Sequence, residues 1–290
     1  MKTILIFGNA FIDNKEAQVI EMIAQLQERG FEVLIEKKFL KLLKVNNAKL
    51  AVKPFDSQNT PNDAYAAISV GGDGTFLRTT HNIGNSNIPI MGINAGHLGY
   101  LTAGSLADHQ KLITALCKGD YRTEERAVLE VSTDSGIAIK YPYGLNEIAI
   151  LKRDTSSMIE METVVNGKPL TTYSGDGLVV CTPTGSTAYN LSAGGPIVEP
   201  TTPCVVLSPV SPHSLTMRPL VLRDDSKISI KVITRTPVFQ VSVDGAEVSC
   251  PSGTTVTIKR AAHNVKVVQL PNHYFAKTLR KKLMWGADQR

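Results

Sequence analysis

Two periodicities divide this chain, and no fold built from one kind of layer accommodates both. Over about the first 120 residues, short apolar runs alternate with helical stripes. Residues 3–7 form a buried strand pattern. Residues 15–29 carry Ala17, Ile20, Ile23, Ala24 and Leu26 on one helical stripe, and Gly30 follows where a helix would end. Residues 31–35, 66–70 and 88–93 read as further strands, and 75–81 and 108–117 as helices. Strand and helix in turn imply a parallel sheet covered by helices. Beyond residue 127 the helical period disappears. Residues 129–132, 159–162, 228–232, 241–243, 255–259 and 265–267 are short strand-like runs, separated by turn residues such as Asn166-Gly167, Asp224-Asp225 and Pro251-Ser252-Gly253. The pattern predicts an α/β N-terminal domain with a parallel sheet (residues 1–122) and an all-β C-terminal β-sandwich domain (123–270). The last segment, 271–290, is again helical from Tyr274 to Trp285 and is expected to return onto the first domain.

Composition narrows the function classes. With 290 residues, 42% hydrophobic and 20% charged, the chain can build two cores of an ordinary globular protein. A net charge of +5 hints at anionic ligands but is too small and scattered for nucleic acid. Lys277, Arg280, Lys281 and Lys282 read as a solvated helix face. Cys117, Cys181, Cys204 and Cys250 form no Cys-x-x-Cys pair, which fits neither zinc nor a disulfide scaffold and suits a reducing cytoplasm. The apolar start is too short for a signal peptide, and no run approaches the ~18 residues of a membrane span, so a cytoplasmic protein without membrane contact is expected.

Gly71-Gly72-Asp73-Gly74-Thr75 follows the strand at 66–70 and opens a helix. Such a turn offers backbone N–H groups to phosphate, and its glycines remove the Cβ atoms that would keep phosphate away. Asp73 repels phosphate unless it binds a metal or accepts a proton from an attacking hydroxyl; otherwise it is a helix N-cap. Asn94-Ala95-Gly96-His97-Leu98-Gly99-Tyr100-Leu101 ends the next strand and should sit beside that loop, because open parallel sheets bind ligands at their carboxyl ends. Asn146-Glu147 could read a ribose diol or a base edge. Residues 174–195 join a second Gly-Asp-Gly turn to a strand and then to a stretch dense in hydroxyls and glycines. Thr184, Ser186, Thr187 and Ser192 could donate to phosphate or sugar oxygens, and Tyr189 offers a flat face for a base. Asp244-Gly245 reads as a hairpin turn and nothing more. A P-loop, a Gly-x-Gly-x-x-Gly fingerprint, a Gly-x-Ser-x-Gly elbow and the protein-kinase motifs are all missing.

Taken together, Gly71-Gly72-Asp73-Gly74-Thr75, Asn94-x-Gly96-x-Leu98-Gly99, Asn146-Glu147, and Asp176-Gly177-Leu178 through Thr182-Pro183-Thr184-Gly185-Ser186-Thr187-Ala188-Tyr189 resemble the NAD kinase family in order and spacing. The first loop is shared with lipid kinases and 6-phosphofructokinases; the Thr182 to Tyr189 run with Asn146-Glu147 is far more specific. The resemblance implies transfer of the γ-phosphoryl of ATP to the 2′-hydroxyl of NAD's adenosine ribose, with a divalent cation such as Mg²⁺, in a homo-oligomer (dimer or tetramer). It makes Gly71, Gly72, Gly74 and Thr75 the phosphate loop and Asp73 the proton acceptor. It places NAD against Asp73, Gly74, Asn146, Glu147, Ser157, Ser174, Asp176, Thr184, Thr187, Ala188, Tyr189, Asn190, Leu191, Ser192 and Ala246, at a site between domains and between subunits. It assigns no protein ligand set to the metal. Two positions depart from the family pattern. Ser174 stands where many relatives have arginine, and Ala246 where glutamine is common, which bears on NAD against NADH and on contacts across subunits. A lipid kinase would need an apolar acyl slot, for which no exposed apolar helix is seen; a pure NAD sensor would have no use for Asp73.

Overall fold

The computed structural model describes residues 2–10, 12, 14–44, 50–96, 99–153, 157–271 and 273–286. The chain divides into two compact units, Met1–Glu125 with Val265–Arg290, and Arg126–Asn264.

In the first unit, β1 (Thr3–Gly8), β2 (Glu32–Glu36), β3 (Lys53–Phe55), β4 (Ala66–Gly71) and β5 (Ile90–Asn94) pair in parallel in the order β3-β2-β1-β4-β5. A two-residue strand, β6 (Gly104–Ser105), pairs with the end of β5. β4 and β5 are buried along their whole length and β1 at all but its first residue, which is why they read as unbroken apolar runs. The connecting helices are α1 (Glu16–Glu28), α2 (Lys37–Leu42), α3 (Asp73–Ile83) and α4 (His109–Lys118). α1 buries Val19, Met22, Ile23 and Leu26, a face turned slightly from the stripe expected at Ala17, Ile20 and Ala24. Gly30, at φ 82°, ends it by donating to Gln27 O while Phe31 N reaches Leu26 O.

The second unit is a sandwich of two antiparallel sheets, as the alternating runs imply. β7 (Arg122–Thr133), β8 (Tyr143–Gly144), β9 (Glu147–Leu151), β10 (Ile159–Val165), β11 (Lys168–Gly175), β12 (Gly177–Cys181), β13 (Cys204–Val210), β14 (Leu220–Arg223), β15 (Ile228–Thr234), β16 (Val238–Val243), β17 (Ala246–Pro251) and β18 (Thr255–Gln269) follow in chain order. One sheet contains β11-β10-β15-β18; the other runs β14-β13-β12-β9-β16-β17. Met161, Ile230 and Ile258 from the first sheet pack with Ile150, Leu178, Leu207 and Val241 from the second in one core. Asn166-Gly167 and Asp244-Gly245 both have positive φ at each residue, the geometry of two-residue hairpins. The runs at 255–259 and 265–267 are one continuous strand, β18.

The helix α5 (Tyr189–Ser192) follows a 3₁₀ turn at Thr184–Thr187. The returning end of the chain places Val267 opposite Ile90 of β5 and forms α6 (Phe275–Leu283) in the first unit. No helix among the described residues is long and apolar enough to cross a membrane, and all four cysteines are free thiols.

Candidate active site

In the first unit, the connections after β1, β4 and β5 end at the carboxyl edge of the parallel sheet, the usual place for a ligand. Gly71 closes β4, and a Cβ there would lie 2.3 Å from Thr75 Oγ1. Thr75 Oγ1 accepts a hydrogen bond from Asn9 Nδ2 at 2.6 Å, so the end of β1 is tied to the first turn of α3. Asp73 is not the cap of that helix. Gly72 occupies the cap position, and the Asp73 carboxylate instead accepts from Tyr100 N at 2.9 Å and Leu101 N at 3.1 Å. Two backbone donors on two oxygens fix the rotamer while leaving lone pairs available to a reacting proton. Burial and the Asp73 charge raise the Tyr100 phenol above its ordinary range. Asn94 Oδ1 accepts from Gly96 N at 2.6 Å and shapes the loop that follows β5. His97 and Leu98 of the motif lie outside the described residues.

Gly99 explains why this loop carries a glycine. A Cβ on it would sit 2.0 Å from Asp73 Oδ1, a side-chain atom that could move only by leaving its backbone donors. Gly99→Ala is therefore expected to keep the fold and melting temperature but to lower turnover by about 10²-fold through misplacement of Asp73. Circular dichroism melts beside steady-state rates check this; an unchanged rate would show that the loop tolerates a shifted carboxylate.

In the second unit, Asn146 and Glu147 lie at the start of β9, and Glu147 pairs in register with Cys181 at the end of β12. The Asp244 carboxylate braces this entry: Oδ2 accepts from Leu145 N at 2.7 Å, and Oδ1 from Asn146 N at 2.9 Å and Glu147 N at 3.0 Å. The hairpin turn read from Asp244-Gly245 is real, but its aspartate also organises the candidate site. Thr182 locks the other side by donating Oγ1–H to Leu145 O at 2.6 Å and N–H to Asn146 O at 2.9 Å. Tyr189 packs over Ala149, Val179, Cys181 and Val206 on the sheet's outer face. Its N–H donates to the Glu147 carboxylate, and its phenol is pushed up by burial and by the Asp176 and Glu147 charges. Asp176 pairs with Lys152 Nζ at 2.6 Å. Glu147, Asp176 and Tyr189 thus form one electrostatic group.

Burial, and then the Asp244 charge, push the Glu147 carboxyl up to about 7 from an ordinary 4.5, against the Tyr189 N–H. The folded chain holds a proton there that the unfolded chain has released. This contribution to stability is complete below about 4.5, is lost as pH rises toward 7, and stays lost above it. Glu147→Gln, neutral throughout, is expected to melt progressively higher relative to the parent chain between about pH 5 and pH 8. A difference in melting temperature that does not vary with pH would disprove the buried-carboxyl assignment.

Other expected residues divide. Thr187, Ala188, Leu191 and Ser192 flank Tyr189 on the turn and helix, with Ser192 exposed. Asn190 and two of the hydroxyls make their hydrogen bonds inside the second unit. Asn190 is fully buried: Nδ2 donates to Ser186 O and Pro196 O, and Oδ1 accepts from Ser208 Oγ at 2.6 Å. Ser186 is likewise buried and bonds both ways with Val198, while Thr184 is 7% exposed and accepts from Arg126. These side chains hold the turn rather than face outward. Ser157 and Ser174 line a cavity of about 440 Å³ with Met158, Glu160, Ile233, Thr234 and Arg235, a lining that includes none of Asn146, Glu147 or Tyr189. Ala246 is exposed at the start of β17, directly after the Asp244-Gly245 turn. Sequence reasoning missed the brace by Asp244, the lock by Thr182 and the Lys152 pair.

The chain is similar to known proteins along its whole length. A family model described as the ATP-NAD kinase N-terminal domain matches residues 4–121, and one described as the ATP-NAD kinase C-terminal domain matches residues 145–270. A protein from Bacteroides fragilis called NAD kinase is 46% identical over 288 residues, 98% of each chain. One from Porphyromonas gingivalis, also called NAD kinase, is 44% identical over 290 residues, the whole of both. Among solved structures, a yeast NADH kinase complexed with NADH shares the fold (TM-score 0.88, 22% identity, 100% of this chain and 89% of that one). An Archaeoglobus fulgidus NAD kinase in complex with ATP matches 98% of each chain at 28% identity and TM-score 0.71. The chain belongs to the ATP-NAD kinase family.

Proposed function

We propose that this enzyme transfers the γ-phosphoryl group of ATP to the 2′-hydroxyl of the adenosine ribose of NAD, forming NADP. The observation that carries the reading is the Asp73 carboxylate, fixed by Tyr100 N and Leu101 N at the mouth of a glycine loop. A ribose hydroxyl is a poor nucleophile near neutral pH, and a positioned base takes its proton as the new P–O bond forms and the β,γ-bridging P–O bond breaks to release ADP. The N–H groups opening α3 face the donor's phosphates. Glu147 and Asp176 engage hydroxyl or amide groups of the dinucleotide, and Tyr189 supplies the flat surface for a ring. Ser157, Ser174 and Ala246 are assigned here to the outer reaches of the dinucleotide. A bound divalent cation would neutralise charge on the donor's phosphates. Asp73 is a fitting carboxylate for it. Among the described residues no group of three acidic, histidine or cysteine side chains could cage a metal, so phosphate oxygens and water would complete its shell. The first unit serves as the ATP-binding domain and the second as the NAD-binding domain, in a cytoplasmic homo-oligomer.

The test is direct. Purified protein with NAD, ATP and Mg²⁺ should produce NADP, read with an NADP-specific dehydrogenase, and production should stop on chelation. Binding of NAD without NADP formation would point to a sensor instead.

A further inference from the structure

Phosphoryl transfer requires positive charge against the terminal phosphates of the donor. Among the described residues, three cations stand near the carboxyl-edge loops of the first unit. Arg78, on α3, donates to Gly8 O and pairs at 3.2 Å with the buried Glu36, so its charge is met inside the protein. Lys282, on α6, rests over the Tyr100 ring, 5.3 Å from its centre. Lys15 differs from both. It is the cap residue of α1, half-buried, and its ammonium group reaches back to donate to Ala95 O beyond the end of β5. Ala95 N donates in turn to Gly71 O at 3.3 Å. The ammonium is therefore held beside the strand end that opens the phosphate loop. No carboxylate pairs with it among the described residues. An ammonium has three donors; one is spent on a neutral carbonyl, and two remain.

Resting on the kinase reading above, we infer that Lys15 is the residue that grips the terminal phosphates of the nucleoside triphosphate donor and aligns them toward Asp73. The carbonyl of Ala95 acts as the parking partner that pre-orients the ammonium without neutralising it. A charge-assisted hydrogen bond of this kind corresponds to roughly 10- to 100-fold in affinity.

The experiment compares the full-length protein with Lys15→Met and Lys15→Arg. Calorimetric titration with a non-hydrolysable ATP analogue and Mg²⁺ reads donor binding without turnover. A parallel titration reads NAD, and melting temperatures are recorded for all three proteins. The expected result is donor binding weakened about 10- to 100-fold in Lys15→Met, partly restored in Lys15→Arg, with NAD affinity and melting temperature near the parent's. Unchanged donor affinity in Lys15→Met overturns the inference, as does equal loss for NAD and donor with a lowered melting temperature, which would make Lys15 a strap. If Lys15→Met does not fold, Lys15→Gln and competition by inorganic tripolyphosphate against the analogue give the same readout. A parent chain that binds the analogue through Lys15 but forms no NADP would overturn the kinase reading while leaving the inference standing.

Discussion

Asp73→Asn is expected to lower the rate of NADP formation by about 10² to 10⁴ while leaving NAD affinity close to the parent's. The substitution is nearly isosteric, so the end of β4 and the first turn of α3 keep their shape. One oxygen survives to accept from Tyr100 N or Leu101 N, and the new amide cannot accept from the other. What is lost is the group that takes the ribose proton. The loss should therefore fall on kcat rather than on the KM for NAD, the mark of an interaction made in the transition state. Gly99→Ala offers the complementary perturbation, because it retains the carboxylate and moves it. If chemistry dominates, Asp73→Asn is the slower of the two; if placement alone dominates, they are equally slow. Rapid-quench measurement of a single turnover separates the chemical step from product release. A single-turnover rate near the parent's in Asp73→Asn would remove this residue from the mechanism.

The fold was legible where burial writes on side chains. β4 and β5 are buried throughout, so their sequence is a run of apolar and small residues that ends at glycine or asparagine. The edge strand β3 contains Pro54, has two of three residues exposed, and carries no period that could reveal it. β18 reads as two strands because Arg260, Ala262, His263 and Asn264 interrupt its buried positions, although the backbone remains extended through them. The site was legible through its glycines. Gly71 and Gly99 leave room for the side chains of Thr75 and Asp73, and that demand shows in the sequence as a motif. Backbone donors leave no such trace. Nothing at Tyr100 or Leu101 announces that their N–H groups hold a carboxylate 27 and 28 positions earlier. Asp244 was hidden for a related reason. Its turn conformation, at φ 48°, already accounts for an aspartate, so its second duty to residues 97–99 positions earlier adds no further signal. Asn190 and Ser186 show the converse: their polar side chains look available in the sequence, and in the structure they bond within the turn they stabilise.

Gly185→Ala is expected to damage both the fold and dinucleotide binding, and for one geometric reason. A Cβ at this position would lie 2.1 Å from Asn146 O, 2.5 Å from Asn146 C and 2.7 Å from Asn146 Cα. All three are backbone atoms, so no rotamer change relieves the overlap. Residue 146 is also held from both sides: Asp244 accepts from Leu145 N, Asn146 N and Glu147 N, while Thr182 bonds to Leu145 O and Asn146 O. Moving residue 185 away instead would strain the bond from Gly185 N to Thr182 Oγ1 at 3.1 Å and the turn that places Tyr189. Overpacking of a tight core typically costs about 1–3 kcal/mol, and breaking one arm of the brace adds to that. A fall in melting temperature of several degrees should accompany a rise in the KM for NAD of about tenfold or more. Donor binding is expected to stay near the parent's, since the loop at Gly71 and the helix α3 belong to the other compact unit. Titrations with NAD and with a non-hydrolysable ATP analogue distinguish this selective defect from general unfolding. An alanine variant with parental stability and parental KM for NAD would mean that the backbone at Asn146 yields freely, and the braced entry to β9 would lose its role.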